Sequence, residues 1–329
     1  MNPSTSNLTR GYVIALTSAV FLSTTAIFIG YLNNTYQIPA MVLAFWRDAI
    51  VALTVFIALL VWRREWLKTS RANLRYLLGY GLLLAVFNSA WTLSVVLNGA
   101  SVSTVLAYSS PAFTAVLGWW ILKERLDWGK LVAIVFGLAG IVLVAGVIDP
   151  AIWRSNSLYG FIAGLATGLM YAIYTLMGRS ASQRGLNAWT TLLYTFAFAT
   201  IFLLIFNLIP GGPLPGSARV PSEIMWLGTA WEGWAIVVAL AAGPTVIGFG
   251  LYMVSLSYLP SSVANLIVTL EPVFTAIAAY FILQEKLTIV QIGGGVLIVL
   301  GVVFLRLYEG RLAAKAPTPI SDQADVAAD

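Results

Sequence analysis

Residues 101–126 and 262–287 carry one pattern twice, at a fixed offset of 161. Ser101–Val102 returns as Ser262–Val263, Pro111 as Pro272, and Phe113–Thr114–Ala115 as Phe274–Thr275–Ala276. Ile121–Leu122 returns as Ile282–Leu283, Glu124 as Glu285, Leu126 as Leu287, and Gly140 then meets Gly301. A long internal repeat restricts the fold to two like halves. A proline inside the apolar helix of each copy makes both helices discontinuous. Earlier in the chain, Gly11-Tyr-Val-Ile-Ala-Leu matches Gly160-Phe-Ile-Ala-Gly-Leu at an offset of 149. One insertion around 210–230 reconciles the two offsets.

Lipid is the solvent for this chain. It is 60% hydrophobic and 9% charged, with a mean hydropathy of +0.88, where a soluble protein carries roughly 25% charged residues. The 329 residues contain no cysteine and no histidine. Disulfides, zinc sites, haem ligation, thiol nucleophiles and the usual near-neutral proton shuttle are excluded. The net charge of +5 is carried in short loops between apolar runs, so it is no nucleic-acid signal. No GxSxG or Walker motif occurs, and Gly248-x-Gly250 lacks a third glycine and a preceding strand. No enzyme activity and no cofactor are expected.

Spans of about 20 residues cross a bilayer. Ten are read here, over 11–31, 40–62, 76–98, 101–122, 129–148, 158–178, 188–209, 233–258, 261–283 and 290–308. Asn33–Asn34, Pro39, Asn98–Gly99, Asp149–Pro150, the 210–221 stretch and Pro260 punctuate them. The expected fold is all-α: a polytopic membrane protein of two inverted five-helix repeats, 1–153 and 154–309. A disordered cytoplasmic tail over 310–329 is expected to follow. Arg10 and the apolar run after it also fit a secretory leader. The counterpart at Gly160 argues for a retained helix instead.

An odd number of helices per half inverts the second half, and charge tests this. With the N-terminus cytoplasmic, fourteen of the eighteen lysines and arginines fall inside. Arg154, Arg219 and Lys286 fall outside, and Arg47 lies within a span. That asymmetry obeys the positive-inside rule and puts the C-terminus inside as well. Inverted repeats are typical of secondary transporters, with substrate near the midplane.

The motif order resembles the drug/metabolite transporter superfamily in its EamA-type ten-helix form. The residues that carry this are Phe45-Trp46-Arg47, Pro111-Ala-Phe-Thr with Leu122-Lys-Glu-Arg-Leu, and Glu271-Pro-Val-Phe-Thr with Leu283-Gln-Glu-Lys-Leu. Within that family the chain is most similar to the YddG-type aromatic amino acid exporters. The resemblance implies a central cavity, cytoplasmic termini, a cell inner membrane location and export of small metabolites such as amino acids.

Three charges fall within spans: Arg47, Asp48 and Glu271. Such groups are costly in lipid and mark functional sites. Glu271 lies roughly 15 Å along the ninth span at 1.5 Å per residue. It is a candidate for holding a substrate ammonium or a proton, or for tying down the backbone at Pro272. Its repeat mate is Ser110, so this charge belongs to one half. Arg47 is a candidate for a substrate carboxylate or a brace between helices. Asp48 points about 100° away from it and need not pair with it.

A polar and aromatic stripe completes the candidate site. Thr104, Tyr108 and Pro111 follow i, i+4, i+7, and Asn265, Thr269 and Pro272 take the same places in the second half. Trp91 and Ser94 become Tyr252 and Ser255. Tyr171 and Tyr174 continue the stripe, and Asn88 stands beside Trp91. A cavity so lined suits a small zwitterion with an apolar or aromatic side chain, although the same groups can simply join helices. Glu271 lies about 240° around from Asn265, off this stripe unless the kink rotates it. Pro111, Pro244 and Pro272 are hinge candidates. Gly137, Gly140, Gly293–Gly295 and Gly301 permit close packing, or alternatively a homodimer face. Trp226, Trp231 and Trp234 are expected at the membrane interface.

Overall fold

The computed structural model describes residues 3–144, 158–212, 214, 216–271, 273–274, 277 and 288–315. It is 84% helical, with no strand among the described residues. The helices are α1 (Pro3–Tyr36), α2 (Ala40–Trp62), α3 (Arg71–Ala107), α4 (Ser110–Ile121) and α5 (Trp128–Val144). They continue with α6 (Leu158–Gln183), α7 (Ala188–Asn207), α8 (Trp231–Tyr258), α9 (Ser261–Val268) and α10 (Ile289–Lys315). Helices are the expected answer in lipid, because each pairs its own backbone groups internally. Among the described residues, four helical stretches are long and apolar enough to cross a bilayer on their own: α2, Gly160–Gln183, α7 and α8.

Proline decides where the helices break. A proline ring collides with the carbonyl four residues earlier and leaves it without a donor. Four residues before Pro111 is Ala107, the last residue of α3. Four before Pro244 is Leu240, where α8 passes into a π-helical turn over Ala241–Thr245. Four before Pro272 is Val268, the last residue of α9. Nearby hydroxyls bond carbonyls at or beside the breaks. Thr245 Oγ1 donates to Leu240 O at 2.8 Å, Thr269 Oγ1 to Leu266 O at 2.6 Å, and Ser109 Oγ to Leu106 O.

Two boundaries differ from the sequence reading. The third and fourth spans were expected to part at Asn98–Gly99, but α3 runs straight through that pair. Asparagine and glycine cost a helix about 1 kcal/mol at most, less than giving up backbone hydrogen bonds in an apolar setting. Only Pro111 enforces the break. At the other end, α10 extends to Lys315, six residues into the expected tail. Arg311, Leu312, Ala313, Ala314 and Lys315 are all strong helix formers. The rest of that tail and residues 272, 275–276 and 278–283 of the ninth span lie outside the described residues.

The repeat is visible in the packing. Number the helices in halves of five, then exchange helix n with helix n+5. The α3–α6 contact becomes α8–α1, and α3–α7 becomes α8–α2; all four pairs are packed. The pairs α2–α7 and α5–α10 map onto themselves, and both are packed too. Glycine makes two of these approaches possible. A Cβ on Gly140 of α5 would lie 2.6 Å from the Gly294 carbonyl oxygen of α10. Gly164 and Gly168 of α6, a small-xxx-small pair, lie against Leu106 and the Leu106 and Ala107 carbonyls of α3.

The segment between α7 and α8 packs against one end of the bundle. Met41 N donates to Gly216 O, and Ala218 N donates to Asn207 Oδ1. Trp46 Nε1 reaches Ile224 O at 2.7 Å, and Trp226 Nε1 reaches Tyr36 O at 2.8 Å. Trp234 packs edge-on against Trp46, while Trp231 is exposed. Ala218 and Leu227 join Leu32, Ile38, Val42 and Leu240 in a small separate core.

Gly140→Ala should lower the unfolding midpoint in detergent, since backbone must shift, at a cost of about 1–3 kcal/mol. Gly293→Ala, with open space around its Cβ, should be neutral or slightly stabilising. Thermal unfolding of the two purified variants checks this.

Candidate functional site

Among the described residues, two polar assemblies and the separate carboxylate of Glu271 stand within the bundle. The first assembly joins α2 to α3. Asp48 is fully buried. Its Oδ1 accepts from Arg47 Nε at 3.1 Å, and Arg47 Nη2 lies 3.1 Å from the same oxygen. Asn88 closes the ring. Its Nδ2 donates to Asp48 Oδ2 at 3.0 Å, and its Oδ1 accepts from Arg47 Nη2 at 3.2 Å. The sequence reading left the pairing of Asp48 with Arg47 open, and in the structure they pair: an arginine has reach enough to curl around its own helix, and a buried carboxylate needs a cation.

The second assembly joins four helices through Asn265, which is fully buried on α9. Its Oδ1 accepts from Ser110 Oγ of α4 at 3.1 Å. Its Nδ2 donates to Thr114 Oγ1 of α4 at 2.8 Å and to Thr175 Oγ1 of α6 at 3.2 Å. Thr175 donates to the Tyr171 carbonyl, so its oxygen is left to accept from the Tyr252 hydroxyl of α8 at 2.7 Å. Each such link contributes about 0.6 kcal/mol in a membrane protein. An unmade one leaves a polar group in apolar surroundings.

Glu271 stands apart from both. It follows the break in α9, is half-buried, and hydrogen-bonds the Tyr108 hydroxyl at the break between α3 and α4. Tyr171 is a further electrostatic neighbour. The aromatic wall continues from there. Tyr171 packs on Phe87 at 5.5 Å and on Tyr252 at 6.3 Å between ring centroids. Tyr174, one turn further along α6, lies between Tyr80 and Phe249. The Tyr174 hydroxyl is buried with no hydrogen-bond partner among the described residues.

These positions sort the sequence candidates. Trp91, Tyr171 and Glu271 are half-buried; Tyr171 belongs to the aromatic wall and Glu271 follows the helix break. Asn88, Tyr108, Tyr174, Tyr252, Asn265 and Thr269 are buried. Asn88 belongs to the ion-pair ring, Asn265 and Tyr252 to the four-helix assembly, and Thr269 bonds back to its own helix. As the helical angle implied, Asn265 and Glu271 engage different partners. Pro111 opens α4 and Pro244 lies in the π turn. Pro272 and the Thr104 side chain lie outside the described residues.

Sequence reasoning missed Glu124. Its carboxylate accepts from Ser261 N and Oγ, both at 2.8 Å, and from Ser262 Oγ at 3.1 Å. Ser262 N lies 3.4 Å away on the same group. The signal was available, because Glu124 and Glu285 match in the repeat, as do Ser262 and Ser101.

Duplicated helical halves with charged and aromatic side chains meeting between them define a multi-pass membrane protein of transporter type. The family model of EamA-like transporters matches residues 9–146 and again 158–307. The chain belongs to that family, within the drug/metabolite transporter superfamily, and is a transporter rather than an enzyme. It is 24% identical over 273 residues to an uncharacterized transporter of Archaeoglobus fulgidus, covering 79% of this chain and 85% of that one. It is 23% identical over 317 residues to an S-adenosylmethionine uptake transporter of Rickettsia bellii, covering 96% and 99%. A solved crystal structure shares the fold with a TM-score of 0.72 at 19% identity, covering 92% of this chain and 99% of that one.

Asp48→Ala leaves the Arg47 charge without its carboxylate and should cost about 3–5 kcal/mol. The double replacement Arg47→Leu with Asp48→Leu removes both charges and should cost clearly less. A double-mutant cycle of unfolding in detergent measures the difference.

Proposed function

We propose that this chain is an inner-membrane secondary exporter of amino acids, aromatic and other neutral ones, working by alternating access. In this reading two inverted five-helix halves rock about the site between them, and both termini are cytoplasmic. The carrying observation is Glu271. It is a carboxylate at a helix break, its hydrogen-bond partner among the described residues is a tyrosine hydroxyl rather than a cation, and aromatic rings line the way from it. A substrate ammonium complements such a group, and an apolar or aromatic side chain complements the Phe87–Tyr171–Tyr252 wall. The Asp48–Arg47–Asn88 ring, near Tyr174, offers a guanidinium toward which a substrate carboxylate would be drawn. The resemblance to YddG-type exporters supports the direction of transport. The charge asymmetry of the loops supports the orientation.

A second reading takes the Rickettsia relative as its guide. S-adenosylmethionine also carries an amino acid head, so the same carboxylate would serve a nucleoside-linked amino acid moving inward. Drugs or nucleobases without an ammonium would leave Glu271 unused, and a membrane scaffold would need neither the carboxylate nor the aromatic wall.

Proteoliposomes loaded with labelled neutral amino acids should show efflux well above protein-free vesicles, strongest for aromatic side chains. Glu271→Gln should raise the half-saturating concentration about tenfold, the loss of a charge-assisted hydrogen bond. Flux equal to that of protein-free vesicles across the whole panel overturns the reading. Competition by S-adenosylmethionine but by no free amino acid would favour the second.

A further inference from the structure

The α4–α9 pair is built from two half-length helices. α4 has 12 residues and α9 has 8, roughly 18 and 12 Å at 1.5 Å per residue, against a hydrocarbon core of about 30 Å. Each has a proline-enforced break at one end, at 108–109 and 269–270. At its other end each is free of any further helical continuation, and there α4 stops where α9 starts. Glu124 joins them at that point.

The local geometry is made for this contact. Lys123 takes φ +56 without being glycine, a strained conformation that concentrates at functional sites. That turn brings Glu124 N back to Gly118 O at 3.1 Å and aims the side chain across to α9. The N-cap of α9 is Pro260, which has no side-chain cap to offer. The Glu124 carboxylate supplies it from the other half of the molecule, at the positive end of the helix dipole. Gly118 lies directly beneath, where a Cβ would stand 3.0 Å from Glu124 Oε2 and 3.3 Å from Ser261 Oγ. Arg179 of α6 is an electrostatic neighbour of Glu124 and donates to Leu256 O, steadying the turn that leads into α9.

We infer that Glu124, Ser261 and Ser262 form a releasable gate between the two halves: made when the path is closed at this end of the bundle, broken when it is open there. A brace meant to be permanent would be buried, as Asp48 is. Glu124 is half-buried, so water can take over its hydrogen bonds when the segments part. The hinges already exist in the two breaks, and the contact crosses between halves, so it must break if they rock. This rests on the alternating-access reading above, but not on any choice of substrate.

The chain has no cysteine, which permits a direct test. Ala264→Cys places a small reporter in α9 where the native residue is fully buried. Labelling with a membrane-impermeant maleimide is followed in vesicles of both orientations, with Glu124 intact, with Glu124→Ala, and with the pair Ser261→Ala and Ser262→Ala, which keeps the carboxylate. The expected result is labelling at least about tenfold faster, about 1.4 kcal/mol, in both variants and from one side only. Unchanged labelling in folded, monodisperse protein overturns the gate, and so does equal acceleration from both sides. Faster one-sided labelling in a protein that moves no amino acid leaves the gate standing and removes the substrate reading. Amino acid efflux with unchanged labelling does the reverse.

Discussion

Wherever this backbone loses an internal hydrogen bond, there is no water in lipid to replace it. That constraint organises the structure. Three prolines each remove a donor from a carbonyl four residues upstream; at Leu240 the backbone shifts into a π turn, and the Thr245 hydroxyl adds a bond to Leu240 O. The other two breaks have Thr269 and Ser109 on neighbouring carbonyls. The N-terminus of α9 has the opposite problem, amides without acceptors, and Glu124 answers it from the opposite half. Irregular backbone is tolerated in membrane proteins where protein encloses it or a cavity reaches it. Here the breaks in α3–α4 and α9 come together at Tyr108 and Glu271, so the irregular backbone and the candidate substrate groups share one place.

Much of this was legible in the sequence. The doubled proline motif predicted paired discontinuities, and the offset of 161 sets the breaks at equivalent positions, 108–109 and 269–270. The glycines of the fifth and tenth spans predicted their close approach. Burial cost singled out Arg47, Asp48 and Glu271 as groups needing partners. The partners themselves were not legible. A helical wheel separates Arg47 from Asp48 by angle, but it ignores how far a guanidinium travels on its stem. Asn265 looked like a cavity residue because an amide on an apolar helix implies a polar neighbour; that neighbour proved to be three hydroxyl groups of α4 and α6. Asn98–Gly99 looked like a boundary because turn residues are punctuation in water. In an apolar environment the unbroken ladder of hydrogen bonds outweighs their weak preference.

The two halves are alike in packing and unlike in charge, and the difference falls at equivalent places. Ser110 and Glu271 are repeat mates, yet Ser110 donates to Asn265 within the clasp while Glu271 faces the aromatic wall through Tyr108. Tyr108 and Thr269 are mates, yet one reaches across to the carboxylate and the other bonds its own backbone. The first half therefore supplies the hydroxyl and the second half the acid. Motion of one half against the other would stretch that pair together with the Asn265 clasp. A ligand bearing its own cation could then replace Tyr108 at Glu271 without leaving the carboxylate bare. Duplication provides two equivalent breaks. Divergence at single positions leaves a carboxylate at one of them and a hydroxyl bonded into the Asn265 clasp at the other.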